Sequence, residues 1–397
     1  MLCRSLLAAS TLASTVVGGA FIIDNDFSRD TFMPILYGLA NSNENNTLIG
    51  ITTVSGNTWG GQGQAWAQRY LQLASSNTTD DAPSKLASQL GAFRGALLPL
   101  LRTQPVYEAG IGLTGVIDFA GAWATYNSTA ESMGIDPTGD ETNVARVTLK
   151  GFDAPSQPLG ASLNSSANVN AVQYLVQTAA DYRRKGENLT IVALGPLTNL
   201  ALATKLDPEF AKSVTVVYAG VYLNFNMQLL SPADKLGDYY NDFNTLFDPE
   251  AAAIVVRANW TRLTVVGEPS ASVIPSPATL DQATAGIGGR STVKADTNPT
   301  NASQYFAQRL LYPAEPFLPV WDEVTLGVAL HPERYVTNTT QGYLDIGTSV
   351  GSWNYGRSFA YPSQQAPKYL VRAEIVTGLN NAAFLDDYAK AAAVFIR

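Results

Sequence analysis

Cysteine and histidine are almost absent from this chain of 397 residues, which contains one of each. Cys3 lies in an N-terminal segment that we predict to be removed, so the mature chain would have neither a disulfide nor a thiol nucleophile. The only histidine, His331, stands in "ALHPE", a pattern that indicates the end of a helix. We therefore expect a structural role for His331.

Long apolar runs are also scarce, and the one that stands out is at the N-terminus. There Arg4 precedes "LLAASTLASTVV", and the small residues that end at Ala20 allow cleavage. This pattern predicts a secretory signal peptide over residues 1–20 and a single domain over residues 21–397. A buried first helix or strand is the alternative. Because the run is shorter than the ~20 residues of a membrane span, we expect no membrane partner after cleavage.

Basic side chains are outnumbered by acidic ones. Without residues 1–20 the chain has 24 basic and 33 acidic residues, a net charge of −9. This balance argues against nucleic acid as a partner, because nucleic-acid binding requires a basic patch. It fits a secreted, extracellular protein. Acceptors for N-glycosylation, which favour the same location, occur at Asn45, Asn77, Asn127, Asn164, Asn188, Asn259, Asn301 and Asn338.

Strand and helix patterns alternate along most of the chain. "AFIIDND" and "TLIGITTVSGN" have the short apolar runs of buried strands, and each precedes a segment with apolar residues at helical spacing. The same alternation returns after residue 169. The fold class predicted is α/β, with a mostly parallel central sheet and helices on both faces. Residues 95–165 and 268–303 are rich in small and polar residues, and we predict them to be loop insertions, a common location of lids.

Three carboxylates, Asp24, Asp26 and Asp30, fall within the stretch "DNDFSRDTF", directly after the first predicted strand. Two more, Asp322 and Glu323, begin a later helical pattern. Carboxylates from two distant segments can hold a hard cation, which prefers oxygen ligands. They can also serve as general base and as stabiliser of positive charge in sugar chemistry. Ordinary capping of helix N-termini is the third interpretation, and the spacing alone leaves all three open.

Four polar segments follow predicted strands, at residues 24–30, 55–57, 194–199 and 221–226. In parallel α/β sheets, ligands bind beyond the carboxyl ends of the strands. We therefore expect these segments to converge on one rim of the sheet and to form the functional site there.

The order of these motifs resembles that of the inosine-uridine-preferring nucleoside hydrolase family, in particular its secreted fungal members. The family opens with Asp-x-Asp-x-x-x-Asp-Asp after a strand, and later has "ITTVxGN", "GxLTNxALA", "EFNxxxDPEAA" and "HDPxAVA". The corresponding segments here are "DNDFSRDT" at 24–31, "ITTVSGN" at 51–57, "GPLTNLALA" at 195–203, "DFNTLFDPEAA" at 242–252 and "WDEVTLGVA" at 321–329. Their common order makes the resemblance specific.

The resemblance implies a Rossmann-like nucleoside hydrolase fold and hydrolysis of the N-glycosidic bond of ribonucleosides to ribose and free base. It also implies a bound Ca²⁺ that holds the ribose diol and the attacking water. Asp26 would be both a metal ligand and the base that activates water. Asp322 and the backbone carbonyl of Leu194 would complete the metal ligands. Side chains at four positions would hold ribose hydroxyls: Asp30, Asn57, Asp242 and Asn244.

Three positions depart from the family pattern. Thr31 replaces an Asp that the family uses as a metal ligand, and it offers one oxygen without charge. Because Ca²⁺ affinity follows the charge of the ligands, the resemblance predicts weakened metal binding. Asp242 replaces a Glu and is shorter by one methylene. Trp321 replaces a His that the family links to protonation of the leaving base, and we expect its ring either to stack on the substrate's base or to fill an apolar gap.

Without a histidine at that position, a proton for the leaving base would come from a tyrosine, a carboxylic acid or solvent. Tyr222, Tyr239 and Tyr240 are candidates by position. The main alternative to a nucleoside hydrolase is a catalytically impaired protein of the same fold that binds a nucleoside or another small ligand. Hydrolysis of a different glycoside is a third hypothesis. Family members are commonly dimers or tetramers, so the resemblance also implies a homo-oligomer.

Overall fold

The computed structural model describes most of the chain outside its N-terminus and one long central segment. The described residues are 19–27, 31–57, 60–76, 81–101, 169–223, 242–295, 299–312, 319–350, 352 and 354–397. Residues 1–18 of the predicted signal peptide and most of the predicted insertion at 95–165 therefore lie outside them. No helix in these ranges is both long enough and apolar enough to span a membrane.

The centre of the molecule is a sheet to which the described residues contribute nine strands. They are β1 Gly19–Asn25, β2 Asn46–Thr53, β3 Ala92–Arg94, β4 Leu189–Ala193, β5 Val214–Tyr218, β6 Arg262–Val265, β7 Val336–Ile346, β8 Ser358–Tyr361 and β9 Arg372–Leu379. Their order is β3-β2-β1-β4-β5-β6-β9-β7-β8. Neighbours from β3 to β9 run parallel, whereas β7 is antiparallel to both β9 and β8. The predicted mostly parallel sheet is confirmed, and the antiparallel edge was not predicted.

Helices cover the sheet. Those in the described ranges are α1 Met33–Ala40, α2 Gly60–Ser75, α3 Ala82–Gln89, α4 Ala171–Lys185, α5 Thr198–Leu206, α6 Phe243–Phe247, α7 Pro249–Arg257, α8 Pro277–Ala283, α9 Ala302–Leu311, α10 Trp321–Leu330, α11 Pro332–Tyr335 and α12 Asn381–Phe395. Local sequence explains their ends. Pro34 lies in the first turn of α1, where its missing N–H has no helical partner. Asn170 and Gln173 form a capping box at the start of α4, and Gly186 ends α4 with a φ of 70°.

The core consists of two apolar layers, one on each face of the sheet. Along β1, Phe21 and Ile23 point into the layer formed with α1, α2, α10 and α12. Ala20 and Ile22 point into the opposite layer, formed with α4, α5 and α7. This alternation is the two-residue period of a strand that is buried on both faces. The prediction of helices on both faces is confirmed.

Two predictions about chain segments, the loop at 268–303 and cleavage after Ala20, can be compared with the structure. Residues 268–303 are not loop throughout, because α8 forms within them. Ser276 and Thr279 make a capping box at its start and Pro277 occupies the first turn, so the loop prediction was wrong there for a local reason. Ala20 pairs with both β2 and β4, so cleavage directly after it would remove the first two residues of β1. Secretion stays a prediction.

Candidate functional site

The carboxyl ends of the parallel strands form one polar rim. Beyond the strands, backbone hydrogen bonds continue from Leu194 N–H to the Asp24 carbonyl at 2.7 Å and from Val54 N–H to the Asn25 carbonyl at 3.2 Å. The next strand follows the same pattern, with Ala219 N–H donating to Ala193 at 3.0 Å. These bonds bring the segments after β1, β2, β4 and β5 side by side. The predicted convergence is confirmed for the described residues.

Asp24 is the innermost carboxylate of the rim and is fully buried. Its Oδ1 accepts hydrogen bonds from Thr52 Oγ1 at 2.5 Å and from Asn199 Nδ2 at 2.7 Å. Burial raises the pKa of the Asp24 carboxyl to about 6, although both hydrogen bonds act in the opposite direction. Its Oδ2 is buried without a hydrogen-bond partner among the described residues.

Asn199 joins three segments of the rim. Besides donating to Asp24, its Nδ2 donates to the Thr53 carbonyl at 3.1 Å, and its Oδ1 accepts from Ala96 N–H at 2.8 Å. The side chain is fully buried. It therefore satisfies polar groups of β1, β2 and the segment after β3 that have no access to water.

Replacement of Asn199 by Leu should strongly destabilise the protein. The change keeps the side-chain size but leaves buried polar groups without partners, so we expect the free energy of unfolding to fall by about 3 kcal/mol or more. Urea unfolding measures this. As a control, Asn380→Ala removes the exposed cap of α12, which accepts from Ala383 N–H, and should cost about 1 kcal/mol. Equal losses for the two variants would contradict a network role for Asn199.

Asp26 lies two residues after Asp24, directly after the end of β1, and only 1% of it is exposed. Its Oδ2 accepts a hydrogen bond from the backbone N–H of Asn57 at 2.7 Å. Two glycines make room for it: a Cβ on Gly56 would lie 2.1 Å from Asp26 Oδ2, and one on Gly195 would lie 2.9 Å from the Asp26 nitrogen. Burial, together with the nearby charge of Asp24, raises the pKa of the Asp26 carboxyl to about 7.

Asp322 reaches the same rim from α10. Asn25 Nδ2 donates to Asp322 Oδ2 at 3.0 Å and so joins residues that are 297 positions apart in the sequence. Part of the Asp322 residue is exposed, but protein atoms surround its carboxyl group, and this burial raises its pKa well above the ordinary value. The charges of Glu323 and Asp26 act in the same direction. Asp26 and Asp322 are therefore close enough to interact electrostatically.

Helix capping does not explain these carboxylates. The residue before α1 is Phe32 and the residue before α10 is Val320, and neither side chain makes a capping hydrogen bond. Asp322 lies in the first turn of α10, but its carboxylate accepts from Asn25. The capping interpretation is therefore wrong for Asp26 and Asp322, whereas Asp30 lies outside the described residues.

The remaining predicted site residues lie around this pair. Asn244 Nδ2 donates to the Leu194 carbonyl at 3.0 Å, so the predicted metal-binding carbonyl and a predicted ribose-binding side chain are in contact. Asn57 is partly exposed, and its side-chain amide makes no hydrogen bond within the described ranges. Trp321 is also partly exposed, at the first position of α10. Thr31 directly precedes Phe32, and its side chain has intermediate exposure.

Asp242 differs from the other predicted ribose ligands because its carboxylate is fully engaged by the protein. Its Oδ1 accepts from Thr245 N–H at 2.8 Å. Its Oδ2 accepts from Val221 N–H at 2.8 Å and from Thr245 Oγ1 at 2.7 Å. Only 6% of the residue is exposed. Asp242 is thus the N-cap of α6, and a contact with ribose stays a prediction.

The candidate proton donors are poorly suited to that task where they can be described. Tyr222 is buried, its hydroxyl lies 3.3 Å from Ser270 Oγ, and burial raises its pKa above the ordinary value. His331 ends α10 and packs edge-on against Tyr335, which confirms its predicted place at a helix end. Tyr239 and Tyr240 lie outside the described residues.

The donor set of the rim suits a hard cation in part. Asp26, Asp322, the Leu194 carbonyl and the buried Asn25 Oδ1, which has no hydrogen-bond partner among described residues, are all oxygen donors. No described ion pair involves the carboxylates of Asp24, Asp26 or Asp322, and the buried Oδ2 of Asp24 has no hydrogen-bond partner in the described chain. Yet no group of three or more acidic, His or Cys side chains in the described ranges is arranged to hold a metal. The metal site and its weakening by Thr31 stay predictions.

Sequence reasoning missed three contributors. The sequence pattern gives no role to Asn25, which lies between Asp24 and Asp26, but its side chain donates to Asp322 and holds it in place. The sequence pattern likewise gives no individual role to Asn199 in "GPLTNLALA" or to Gly56 in "ITTVSGN". The signal for Gly56 was its position between Ser55 and Asn57 in a polar strand end, where backbone must approach a side chain closely.

Comparisons with known proteins agree with this geometry. The family model described as inosine-uridine preferring nucleoside hydrolase matches residues 21–386. An uncharacterized protein of Schizosaccharomyces pombe is 28% identical over 367 residues, which are 91% of this chain and 82% of that protein. Probable uridine nucleosidase 2 of Arabidopsis thaliana is 49% identical over 70 residues, which cover 17% of this chain and 19% of that protein. Inosine-uridine preferring nucleoside hydrolase of Leishmania major is 32% identical over 25% of this chain and 28% of its own length.

Solved structures show the same architecture. A purine-preferring ribonucleoside hydrolase from Gardnerella vaginalis superposes with a TM-score of 0.61 at 17% identity, over 95% of this chain and 99% of that one. A plant nucleoside hydrolase gives a TM-score of 0.59 at 19% identity, over 94% of this chain and 98% of that one. At these identities the likeness establishes the fold.

Proposed function

Because the chain belongs to the inosine-uridine preferring nucleoside hydrolase family, we propose that it hydrolyses the N-glycosidic bond of ribonucleosides to ribose and free base. The observation that carries this proposal is the hydrogen bond between Asn25 and Asp322. It brings the first motif of the chain and a late helix to one point of the rim, where Asp26 also lies. Such a pair of buried carboxylates suits a reaction in which the sugar develops positive charge.

Asp26 is the proposed general base. Its Oδ2 accepts a hydrogen bond from Asn57 N–H at 2.7 Å, and Gly56 and Gly195 leave just enough room for Asp26 because they have no side chains. A base held in one orientation needs little rearrangement when it accepts a proton from water. Negative charge on Asp26 and Asp322 also stabilises the oxocarbenium character of the ribose as the base departs.

Ca²⁺ is the proposed metal, and the residues that would hold it are Asp26, Asp322 and the carbonyl of Leu194, with Thr31 as a weak fourth. When bound, the ion would supply positive charge that orients and acidifies a water molecule. Asn25 keeps Asp322 in position, and Asn244 keeps the Leu194 peptide in position. These hydrogen bonds to the ligands fix the orientation of the ligand oxygens.

Ribose would be held by side chains that can both donate and accept hydrogen bonds. Asn57 and Asn244 have this property, and the carboxylate of Asp30, which lies outside the described residues, would accept a hydrogen bond from a ribose hydroxyl. The partly exposed ring of Trp321 stands at the same rim and offers a face for stacking on the leaving base. Tyr222 is an unsuitable acid, because its pKa is raised and its hydroxyl faces Ser270.

Replacing Thr31 by Asp should tighten Ca²⁺ binding. The change adds a charged bidentate oxygen ligand where the chain has a neutral hydroxyl, and we expect the dissociation constant to fall about 10- to 100-fold, since affinity rises with ligand charge. Isothermal titration calorimetry of the two proteins with Ca²⁺ measures it without substrate. Thr47→Asp, at the partly exposed second position of β2, is the control and should leave the constant unchanged. Tight binding by the unchanged protein would contradict a weakened site.

The proposed activity is tested with purified protein and a panel of inosine, uridine, adenosine and guanosine. Ribose release is measured with added Ca²⁺ and with chelator, from acidic to neutral pH. We expect release from at least one nucleoside and its loss with chelator. Absence of release under every condition, together with binding of the same nucleosides by calorimetry, would favour the binding protein over the hydrolase.

A further inference from the structure

The backbone at Val221 is strained. Its φ is 68°, and within the described part of the chain it is the one residue other than glycine with a positive φ. A β-branched side chain rarely adopts this left-handed conformation, so neighbouring contacts must hold it there. Val221 is the third residue after β5 and follows Gly220 at the rim, and only 3% of it is exposed.

Two neighbours hold Val221 in place. Its N–H donates to Asp242 Oδ2 at 2.8 Å. Gly267, with a φ of 46°, packs against its carbonyl, and a Cβ on Gly267 would lie 2.7 Å from that oxygen. Gly267 therefore lies close to the Val221 carbonyl on one side, and the hydrogen bond to Asp242 holds the Val221 N–H on the other.

The same Asp242 carboxylate sets the beginning of α6. It accepts from the N–H and the hydroxyl of Thr245, and that hydroxyl lies 3.2 Å from the hydroxyl of Tyr218 on β5. The helix then presents Asn244 to the Leu194 carbonyl at 3.0 Å. Asp242 thereby connects the segment after β5 with the segment after β4, which carries a proposed metal ligand.

We propose that Asp242 is a positioning residue, which holds Val221 in its left-handed conformation and fixes α6 so that Asn244 lies on the Leu194 carbonyl. Both of its oxygens are used by protein donors, so the shorter side chain does not need to reach ribose. The proposal rests on the nucleoside hydrolase function for its kinetic consequences. The connection between Asp242 and Val221 itself does not depend on activity.

A double-mutant series tests this. Asp242→Asn places an amide N–H₂ group, itself a donor, against the donors of Val221 and Thr245. We expect kcat/KM to fall about 30- to 100-fold, because a small displacement of the groups that Asp242 positions can cost that much. Asp242→Glu should be similarly impaired, because its carboxylate no longer fits the N–H groups of Val221 and Thr245. Adding Val221→Gly to Asp242→Asn removes the strained Cβ and should restore kcat/KM at least about fivefold, given the ease with which glycine adopts positive φ. Adding Val221→Ala keeps a Cβ and should not restore it.

Asp248 provides the matched control. It is also a buried N-cap, of α7, and accepts from Ala251 N–H at 3.0 Å and from Thr198 Oγ1 at 2.7 Å. Asp248→Asn should lower the unfolding temperature about as much as Asp242→Asn does, but it should retain much more activity. Adding Val221→Gly to Asp248→Asn should restore nothing. Full activity of Asp242→Glu, or equal rescue by glycine and alanine, would overturn the proposal.

The unfolding temperature separates this proposal from the proposed function. If Val221→Gly raises the unfolding temperature of Asp242→Asn above that of the Val221→Ala double variant, the hold of Asp242 on Val221 (the clamp) is supported even in a protein that releases no ribose. That combination would contradict only the hydrolase. If ribose is released but neither kcat/KM nor the unfolding temperature shows coupling between positions 242 and 221, the clamp is contradicted and the hydrolase is not.

Discussion

Asp26→Asn should reduce kcat for nucleoside hydrolysis by about a thousandfold or more, because removal of a general base and of a charge beside the reacting sugar acts on the transition state. The substitution keeps the shape of the side chain, and the new amide oxygen can still accept from Asn57 N–H. We therefore expect the fold and the unfolding temperature to change little. Stopped time courses of ribose release at saturating nucleoside, with circular dichroism of the same samples, measure both.

Asp281→Asn is the control for Asp26→Asn. Asp281 is an exposed carboxylate that pairs with Arg290 away from the rim. Loss of the Asp281 charge should leave kcat unchanged, because the residue lies away from the rim and surface ion pairs contribute little to the stability of the fold. Retention of most of the activity by Asp26→Asn would show that another group activates the water.

Gly56→Ala should have the second largest effect. The added Cβ would lie 2.1 Å from Asp26 Oδ2 and 2.7 Å from Pro196 Cδ, distances that real structures do not tolerate. Either Asp26 or the strand end must move, and we expect kcat/KM to fall at least about 100-fold, since displacement of a reacting group by about 1 Å can cost that much. The stability loss should be about 1–3 kcal/mol, typical of an added buried methyl group. Nucleoside kinetics and urea unfolding measure the two effects.

Gly186→Ala separates this contact from the general cost of adding a methyl group to a glycine. Gly186 ends α4 with a φ of 70°, and a Cβ there would meet nothing within 4 Å. It should lose about 1 kcal/mol of stability through backbone strain and no activity. Unchanged kcat/KM in Gly56→Ala would mean that the position of Asp26 is not set by the glycine.

The central part of the fold could be predicted because the sequence repeats simple periods there. The apolar runs of β1, β4 and β5 have no competing interpretation in their β-α context, and the capping residues of α4 are local signals. The antiparallel β7 and β8 could not be predicted in the same way. The first six residues of β7 are exposed or partly exposed, without the regular alternation that marks a strand in a sequence. Its place beside β9 depends on pairing with a distant segment, which local sequence does not encode.

The sequence predicts which segments converge on the rim but not which contacts their side chains make. The strand ends and the motif order predict that Asp26, Asn57, Leu194, Asn244 and Asp322 lie at one rim, and their roles in a site stay predictions. The motif alone could not show that Asn25 holds Asp322, or that both oxygens of Asp242 are used by Val221 and Thr245. Such contacts depend on where side chains point after the segments have packed together, and single-sequence patterns carry no direct record of it.

Hydrolysis in oxygen-18-labelled water tests the central claim most directly. The wild-type protein and Asp26→Asn are incubated with the nucleoside that the panel identifies as the best substrate, and the products are examined by mass spectrometry. We predict equimolar ribose and free base from the wild-type protein, with the label on the anomeric oxygen of ribose and none in the base, and almost no product from Asp26→Asn. Release of base without labelled ribose, or labelled ribose from both proteins at the same rate, would contradict water activation by Asp26.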